Sequence, residues 1–265
     1  VARALSIPYV ISEPSRSPRR REGPWALYAA EAEAALAAAD LLLWSTPRDL
    51  PMLEAADPPL PLAPLPPFLD LGPPPTDPPP ANGPLHLAAA AMMRPGDKRA
   101  SYAALAEALR LATDRGLDWR LSVAGDGGER GAIERLFAPF GARATLLGQL
   151  EEPALRALFE AADLLVWPGV GEGFGMVYLE AQAAGLPCLA EDRPGPRHVI
   201  DPARALPPPE NPSAFADALI SAAADRPALR AARASARAHV ERHHGLDAAA
   251  ARLAALLTPL IEARR

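Results

Sequence analysis

The stretch that decides the fold is LLVWPGVGEGFGMVYLE, residues 164–180 of a chain of 265 residues. It opens with a short apolar run, Leu164–Trp167, which is typical of a buried strand. Four glycines then fall within seven positions, 169–175, and a helical pattern begins near Met176. This order predicts a loop at the carboxyl end of a strand, where open parallel sheets bind their ligands.

The loop suits a ligand that carries both hydroxyl and phosphate groups. Its glycines let the backbone approach a ligand closely and turn N–H groups toward it. The N-terminus of the following helix adds partial positive charge. Glu172 lies in the loop and Glu180 about one turn into the helix, and carboxylates accept hydrogen bonds from hydroxyl groups. A tight turn with a merely solvated Glu180 is the alternative.

Strand and helix patterns alternate along the chain. Before residue 50 we predict a strand, a helix and a strand, at Ile7–Ile11, Trp25–Asp40 and Leu41–Trp44. The later predicted strands are Leu85–Met92, Trp119–Ala124, Ala144–Leu147, Leu164–Trp167 and Leu186–Ala190. The predicted helices are Ala100–Thr113, 129–140, Glu151–Ala162, Met176–Ala184 and most of the chain from Asn211. The alternation predicts an α/β fold with a doubly wound parallel sheet.

A proline-rich segment separates the two series of elements. Fourteen of the 33 prolines fall between residues 51 and 84. Because proline fixes φ and lacks a backbone donor, we expect neither a helix nor a central strand there, but a stiff spacer partly packed along a surface. The predicted organisation is a domain at 1–70, a linker at 71–84 and a second domain at 85–265.

Two other loops follow predicted strands. In residues 94–99, Arg94 and Lys98 are placed to converge on a diphosphate, although an ordinary basic loop is the alternative. Residues 125–131 read GDGGERG, which is GxGGxxG rather than GxGxxG, and no acidic residue follows at the expected distance. This disfavours a nicotinamide enzyme and predicts a turn with close backbone approach to a ligand.

Composition excludes several classes of protein. A net charge of −5 argues against a nucleic-acid partner. The single cysteine, Cys188, excludes a disulfide framework and a cysteine-based zinc site, and the histidine spacing predicts no metal site. The hydrolase elbow and the Walker pattern are missing. Four arginines between Ser15 and Pro24 leave two alternatives, a grip on phosphate or lipid head groups and a solvated loop.

From Leu85 to the C-terminus, these segments resemble the C-terminal half of glycosyltransferase family 4, the group 1 glycosyl transferases of GT-B fold. The most specific match is the family's E-x7-E signature, here Glu172 to Glu180, followed by AQAAGLP at 181–187. Residues 123–127 and 147–148 also match. Residues 1–70 resemble the end of the N-terminal domain, so the resemblance implies an incomplete second Rossmann-like domain that lacks much of the acceptor site.

The resemblance implies roles for individual residues. Arg94 and Lys98 would hold the donor diphosphate and Glu172 would face the transferred sugar, which makes these three the predicted catalytic residues. Glu180 would take the ribose hydroxyls. The predicted donor-binding residues are Gly125, Gly148, Gly173, Phe174, Gly175, Met176, Val177 and Glu180. Two positions depart from the family's pattern: Arg99 stands where a glycine commonly follows the lysine, and residues 196–200 lack the glutamate that is usual after the last core strand. For this reason the resemblance does not identify the sugar.

The implied activity is retaining, metal-independent transfer of a sugar from a nucleotide-diphosphate sugar to an acceptor hydroxyl, without a cofactor. The leaving phosphate would help to deprotonate the acceptor, which would be a sugar, a lipid or a glycan. The expected location is cytoplasmic, with peripheral membrane contact through the missing N-terminal part. The alternatives are a non-catalytic or truncated nucleotide-sugar-binding module and, less favoured, a dehydrogenase.

Overall fold

The computed structural model describes residues 5, 7–16, 21–76 and 83–263. Its contacts divide the chain into two compact units. The first contains the described residues up to Phe68 together with those from His243 onward, and the second runs from Leu69 to Arg242. The boundaries differ from the predicted ones, because the end of the chain groups with the first unit instead of with residues 85–242.

The second unit contains a parallel five-stranded sheet with the order β6-β5-β4-β7-β8. Its strands are β4 (Leu85–Ala90), β5 (Trp119–Ala124), β6 (Ala144–Gly148), β7 (Leu164–Val166) and β8 (Cys188–Leu189). The predicted α/β class and all five strands are confirmed, although β8 is shorter than expected. The order reverses between β4 and β7, which places a ligand crevice at the carboxyl ends of those two strands.

Helices connect these strands or follow the sheet. They are α3 (Asp97–Asp114), α4 (Arg130–Phe137), α5 (Glu152–Ala161), α6 (Met176–Ala183), α7 (Pro194–Val199), α8 (Pro212–Ala224) and α9 (Arg226–His244). Asn211, from which we predicted helix, is the N-cap of α8, since its side chain accepts from the Ala214 N–H at 3.0 Å. A 3-10 helix, Ala138–Arg143, ends the region that we predicted as one helix to residue 140.

The core of the second unit lies along both faces of the sheet. Every residue of β4 and β7 is buried, as expected for central strands of a covered parallel sheet. Trp119, Trp167, Tyr102 and Tyr178 are the largest fully buried side chains. Each fully buried apolar side chain of leucine size contributes about 1.5–3 kcal/mol, so this core fixes the strand ends from which the loops emerge.

The first unit contains a parallel sheet of order β1-β2-β3. Its elements are β1 (Val10–Ser12), α1 (Ala29–Ala38), β2 (Leu41–Trp44), α2 (Leu50–Glu54), β3 (Leu62–Pro64) and α10 (Leu246–Glu262). Ala249 of α10 is buried against Leu43, Ala63 and Leu65, which explains why the C-terminal helix belongs to this unit. The helix predicted from Trp25 begins instead with a 3-10 helix, Gly23–Tyr28.

Of the expectation that residues 51–84 form neither a helix nor a central strand, the helix part is wrong, because α2 begins at Leu50 and runs to Glu54, whereas β3 is an edge strand and agrees with it. Pro51 occupies the first turn of α2, where a proline loses no hydrogen bond. Pro64 ends β3, which pairs with β2 along one side and lies at the edge of its sheet. An edge strand tolerates proline because its outward N–H groups need no partner. Residues 77–82 of the predicted linker lie outside the described residues.

The start of the predicted linker is packed on the second unit. Arg156 and Arg237 donate to the carbonyl oxygen of Leu71 at 3.0 and 2.9 Å. Arg237 also donates to the Gly72 carbonyl at 3.1 Å. These bonds confirm that part of the proline-rich segment lies along a surface. No helix in the described part of the chain combines the length and apolarity needed to cross a membrane.

Candidate active site

The glycine-rich loop between β7 and α6 is fixed by the core beneath it. Gly175 has φ +76° and precedes α6, and a Cβ there would lie 2.4 Å from the ring of Tyr178. A side chain is therefore excluded both by backbone conformation and by space. Tyr178 in turn donates to the Trp167 carbonyl at 2.9 Å, and the Val170 N–H donates to Ser101 Oγ at 2.9 Å. The loop is thus held from its own helix and from α3.

Lys98 and Glu172 meet in this loop although they are 74 residues apart. The Lys98 ammonium donates to Oε1 of Glu172 and forms an ion pair with it. The Trp167 indole N–H donates to the same oxygen at 2.9 Å. The Lys98 and Glu172 side chains keep 25% and 12% of their exposure, so this is a half-buried charge pair that a ligand can reach.

Lys98 also lies over the face of Trp167, with Nζ 5.6 Å from the ring centroid. A cation at this distance is attracted by the electrons of an aromatic face. Lys98 stands in the first turn of α3, directly after the loop that follows β4. The two neighbouring strands β4 and β7 therefore supply the cation and the carboxylate, as the topology requires for a ligand site.

Arg94 lies in the same loop as Lys98 but is not brought to Glu172. Its side chain is exposed, and Nη2 lies 2.9 Å from the sulfur of Met92. Among the described residues, no carboxylate forms an ion pair with Arg94. By contrast, Arg99, in the first turn of α3, forms an ion pair with Glu129 at 3.2 Å.

Glu180 faces a cavity of about 450 Å³ in the second unit. The side chain of Glu180 reaches solvent within a concave surface but is partly surrounded by protein. This partial burial raises the pKa of its carboxyl, with the charge of Glu152 as the second cause. The cavity is lined by acidic and apolar groups and one arginine: Leu69, Asp70, Leu71, Glu152, Leu155, Arg156, Phe159, Glu180 and Ala183. The raised pKa means that these surroundings disfavour the charged carboxylate, and a hydrogen-bond donor beside it would favour that charged form.

Gly125 and Gly148 lie together at the carboxyl ends of β5 and β6. The Gly125 N–H donates to the Gly148 carbonyl at 2.7 Å. Gly125 has φ +138°, and a Cβ there would lie 2.0 Å from the carbonyl oxygen of Ala91. The close approach that demands glycine is thus to the chain's own backbone. We predicted close approach to a ligand, and nothing here establishes that role.

The remaining predicted residues form the rim at the start of α6. Gly173 and Phe174 are half-buried, Gly175 is buried and Met176 is the first helical residue. The backbone N–H groups of Met176 and Val177 belong to the first turn, where a helix has no partner of its own for them. Such groups donate readily to phosphate or another anion.

Sequence reasoning missed Trp167 and Tyr178 as parts of the site. We treated Trp167 as the last residue of a strand, whereas its indole contacts both members of the charged pair. The available signal was its position, immediately before Pro168 at the carboxyl end of a strand and five residues before Glu172. A buried tryptophan usually finds an acceptor for its N–H, which a nearby carboxylate can provide.

Two further sequence expectations have a structural outcome. Arg16 and Arg21 of the N-terminal arginine-rich loop pair with Glu33, at 2.9 and 3.6 Å, while Arg19 and Arg20 lie outside the described residues. Cys188 is buried in β8, as expected for a core residue, and burial raises the pKa of its thiol. In the described ranges, no group of three or more acidic, histidine or cysteine side chains is placed to hold a metal ion.

Comparisons with known proteins identify a family. Residues 84–225, slightly more than half of the chain, match the family model described as Glycosyl transferases group 1. A Corynebacterium glutamicum protein, "GDP-mannose-dependent monoacylated alpha-(1-6)-phosphatidylinositol monomannoside mannosyltransferase", is 34% identical over 132 residues, which cover 47% of this chain and 35% of that protein. The chain spans about a tenth to a third of the length of the curated relatives it matches.

Solved structures of glycosyltransferases share the fold. A sucrose-phosphate synthase from Thermosynechococcus elongatus is 22% identical with a TM-score of 0.74, over 97% of this chain and 69% of that one. The Anabaena protein HepE, solved with UDP and glucose, is 15% identical with a TM-score of 0.74, over 97% and 73%. The predicted GT-B type with Rossmann-like units is confirmed, and the chain belongs to the group 1 family of glycosyl transferases.

Proposed function

We propose that this chain carries the donor site of a retaining glycosyltransferase, which moves a sugar from a nucleotide-diphosphate sugar to an acceptor hydroxyl. The observation that carries the proposal is the Lys98–Glu172 pair, set in a glycine-rich loop at the N-terminus of α6. It brings a cation, a carboxylate and free backbone donors to the carboxyl ends of adjacent strands. A sugar diphosphate presents the matching groups, namely anionic phosphates and hydroxyls.

The first chemical role is stabilisation of the departing diphosphate. When the bond between sugar and phosphate breaks, negative charge develops on the leaving oxygen. Lys98 and the N–H groups of Met176 and Val177 would stabilise that charge, and the exposed Arg94 would add a second cation. Because these groups can supply the positive charge, the route that we propose is metal-independent.

The second role belongs to Glu172, beside the reacting sugar. Its carboxylate would accept hydrogen bonds from sugar hydroxyls and balance the positive charge of an oxocarbenium-like transition state. Lys98 would leave Glu172 for the phosphate as the donor binds. We assign no protein side chain as the general base, because the leaving phosphate lies on the same face as the acceptor in a retaining reaction.

The cavity beside Glu180 would take the nucleoside. Glu180 would accept from the two ribose hydroxyls, and the apolar side chains of Leu155 and Phe159 provide walls for a base. Glu152 lines the same cavity and can only accept hydrogen bonds when ionised. Guanine offers two adjacent N–H donors, and the Corynebacterium relative is named as GDP-mannose-dependent. We therefore expect guanosine diphosphate to bind more tightly than uridine or adenosine diphosphate.

Calorimetry of the chain with GDP, UDP and ADP, followed by an assay of donor hydrolysis, tests the proposal. Binding of one nucleotide with hydrolysis of its sugar conjugate is the expected result. Binding without hydrolysis or transfer favours a nucleotide-sugar-binding module, an alternative motivated by the limited share of each relative that the match covers. Tight binding of a nicotinamide dinucleotide in place of all three would overturn the assignment.

A further inference from the structure

Trp167 is the residue that holds Glu172 from beneath. It follows β7 directly, is fully buried, and its backbone N–H donates to the Leu189 carbonyl at 3.0 Å. Its ring meets Tyr102 edge to face, with centroids 4.8 Å apart. The indole therefore has a fixed position, and the N–H that reaches Glu172 at 2.9 Å is part of the packed core.

The carboxylate of Glu172 is held asymmetrically. Its two side-chain partners in the described part of the chain, Trp167 and Lys98, both donate to Oε1. Oε2 is thereby left to a ligand. An indole N–H can only donate, so it fixes which oxygen points inward whether or not Lys98 is present.

When a donor substrate binds, one partner of Oε1, Lys98, is expected to move and the other, Trp167, to stay in place. Lys98 is a flexible, partly exposed ammonium, and in the proposed function it transfers to the diphosphate. Trp167 is neutral and packed on Tyr102, so it has no freedom to follow. When Lys98 departs, the indole N–H remains as the group that keeps Glu172 oriented.

We propose that Trp167 is a positioning residue, whose indole N–H holds Oε1 of Glu172 and directs Oε2 toward the transferred sugar. This inference rests on the proposed function, because it assigns the orientation of a carboxylate that the transfer reaction uses. It predicts that losing the N–H impairs turnover and leaves nucleotide binding intact, since Trp167 acts on the sugar side of the site.

Trp167→Phe removes the N–H and keeps an aromatic ring for Tyr102 and Lys98. Trp119→Phe is the matched control, because Trp119 is also fully buried in the same unit and donates to Thr113 Oγ1 at 2.9 Å. It is the first residue of β5, at the end of the strand opposite to the candidate site. With the full chain we would measure the melting temperature, the Kd for GDP, UDP and ADP, and kcat and KM for hydrolysis of their sugar conjugates.

We expect kcat of Trp167→Phe to fall at least about 10-fold, a change of roughly 1.4 kcal/mol in the barrier, with nucleotide Kd within twofold of the parent. Trp119→Phe should lose as much melting temperature as Trp167→Phe does, but its kcat should stay within twofold of the parent's. In a Glu172→Ala background, Trp167→Phe should cause no further loss of kcat, because residues that act as a unit are not additive.

Three results would overturn the inference. One is a kcat for Trp167→Phe equal to that of Trp119→Phe. Another is additive losses with Glu172→Ala, and the third is a parallel loss of nucleotide binding, which would mark a merely structural role. If the parent chain turns over these donors, such results reject the positioning role alone. If the parent neither binds nor hydrolyses any of the donors, the proposed function fails and the inference fails with it.

Discussion

Two glycine-rich loops of the second unit, 125–129 after β5 and 168–175 after β7, look alike in sequence and differ in structure. In the first, a Cβ at Gly125 or Gly127 would lie 2.0 or 2.4 Å from the carbonyl oxygens of Ala91 and Met93. In the second, a Cβ at Gly169, Gly171 or Gly175 would likewise lie 2.0–2.5 Å from another group, here the side chain of Tyr178 or Asp97, whereas a Cβ at Gly173 would touch nothing within 4 Å. The second loop differs in that its Glu172 projects to meet Lys98. Glycine content alone therefore does not identify a ligand site.

The two loops differ in the partners and the burial of their glutamates, Glu129 and Glu172. Glu129 at the end of the first loop pairs with Arg99, whose side chain is 57% exposed, and such surface pairs contribute little. Glu172 is 12% exposed and shares its oxygen between a cation and a buried indole. In the β7 loop, a residue of the core therefore orients the carboxylate, whereas in the β5 loop the glutamate is held by a surface arginine.

Replacing the two loop carboxylates gives the largest expected difference. Glu172→Ala should lower donor turnover 10-fold or more, at least about 1.4 kcal/mol, because the charge beside the sugar is lost. Glu129→Ala, in the other loop, should leave turnover within twofold. Glu172→Gln keeps an acceptor for Trp167 and separates lost charge from lost packing. Steady-state kinetics with a nucleotide sugar measures all three, and equal activity of Glu172→Ala and parent would reject the assigned role.

For stability, the larger effect should come from the β5 loop: a substitution at Gly125 should destabilise the protein more than one at Gly173 in the β7 loop. Gly125→Ala forces a Cβ into the Ala91 carbonyl at φ +138°, so we expect a loss of at least about 2 kcal/mol in the free energy of unfolding. Gly173→Ala meets open space and should unfold like the parent. Urea denaturation followed by circular dichroism makes the comparison. A Gly125→Ala protein as stable as the parent would show that the β5 loop is looser than described.

The fold followed from the sequence largely because periodicity and glycine placement are local signals. Strand β5 was predicted to the residue, and the loop before Met176 was placed correctly. The packing of α10 on Leu43 and Ala63 was not predicted, since nothing local in an apolar helix tells which core it joins. Similarly, α2 and β3 were missed because proline penalises interior positions and they use terminal or edge positions.

Part of the candidate site could be predicted from the sequence. Lys98 and Glu172 were named on their residue types and on the family resemblance, and the structure places them in contact. Trp167 was missed because its polar atom matters only once the strand end and the loop are folded together. Whether Arg94 and the donor-binding glycines act as predicted depends on a bound donor, and those roles stay predictions.

The smallest expected effect concerns Glu180, on the helix that the β7 loop begins. Burial and Glu152 raise the pKa of its carboxyl above its ordinary value of 4.5. The folded state then binds the proton more tightly than the unfolded state, so this group lowers stability as pH rises through that window. Glu180→Gln should melt slightly above the parent at pH 7, and the two curves should converge below about pH 4.5.

The affinity of Glu180→Gln for nucleotide is the second measurement, made beside its melting temperature. Because the amide accepts fewer hydrogen bonds from ribose hydroxyls, Glu180→Gln should also bind the preferred nucleoside diphosphate more weakly. A variant that melts lower than the parent at pH 7, or binds nucleotide equally well, would contradict the placement of Glu180 in a nucleoside cavity.

We propose above all that the β7 loop and Lys98 form the site for a nucleoside diphosphate. The most direct measurement is the Kd of the preferred nucleoside diphosphate for the parent, for Lys98→Ala and for Arg130→Ala, in which a cation at the start of α4 that pairs with Asp126 and Glu134 is removed. The account predicts binding that weakens at least about 10-fold in Lys98→Ala and stays within twofold in Arg130→Ala. Equal affinity of the parent and Lys98→Ala, or a larger loss in Arg130→Ala, would contradict it.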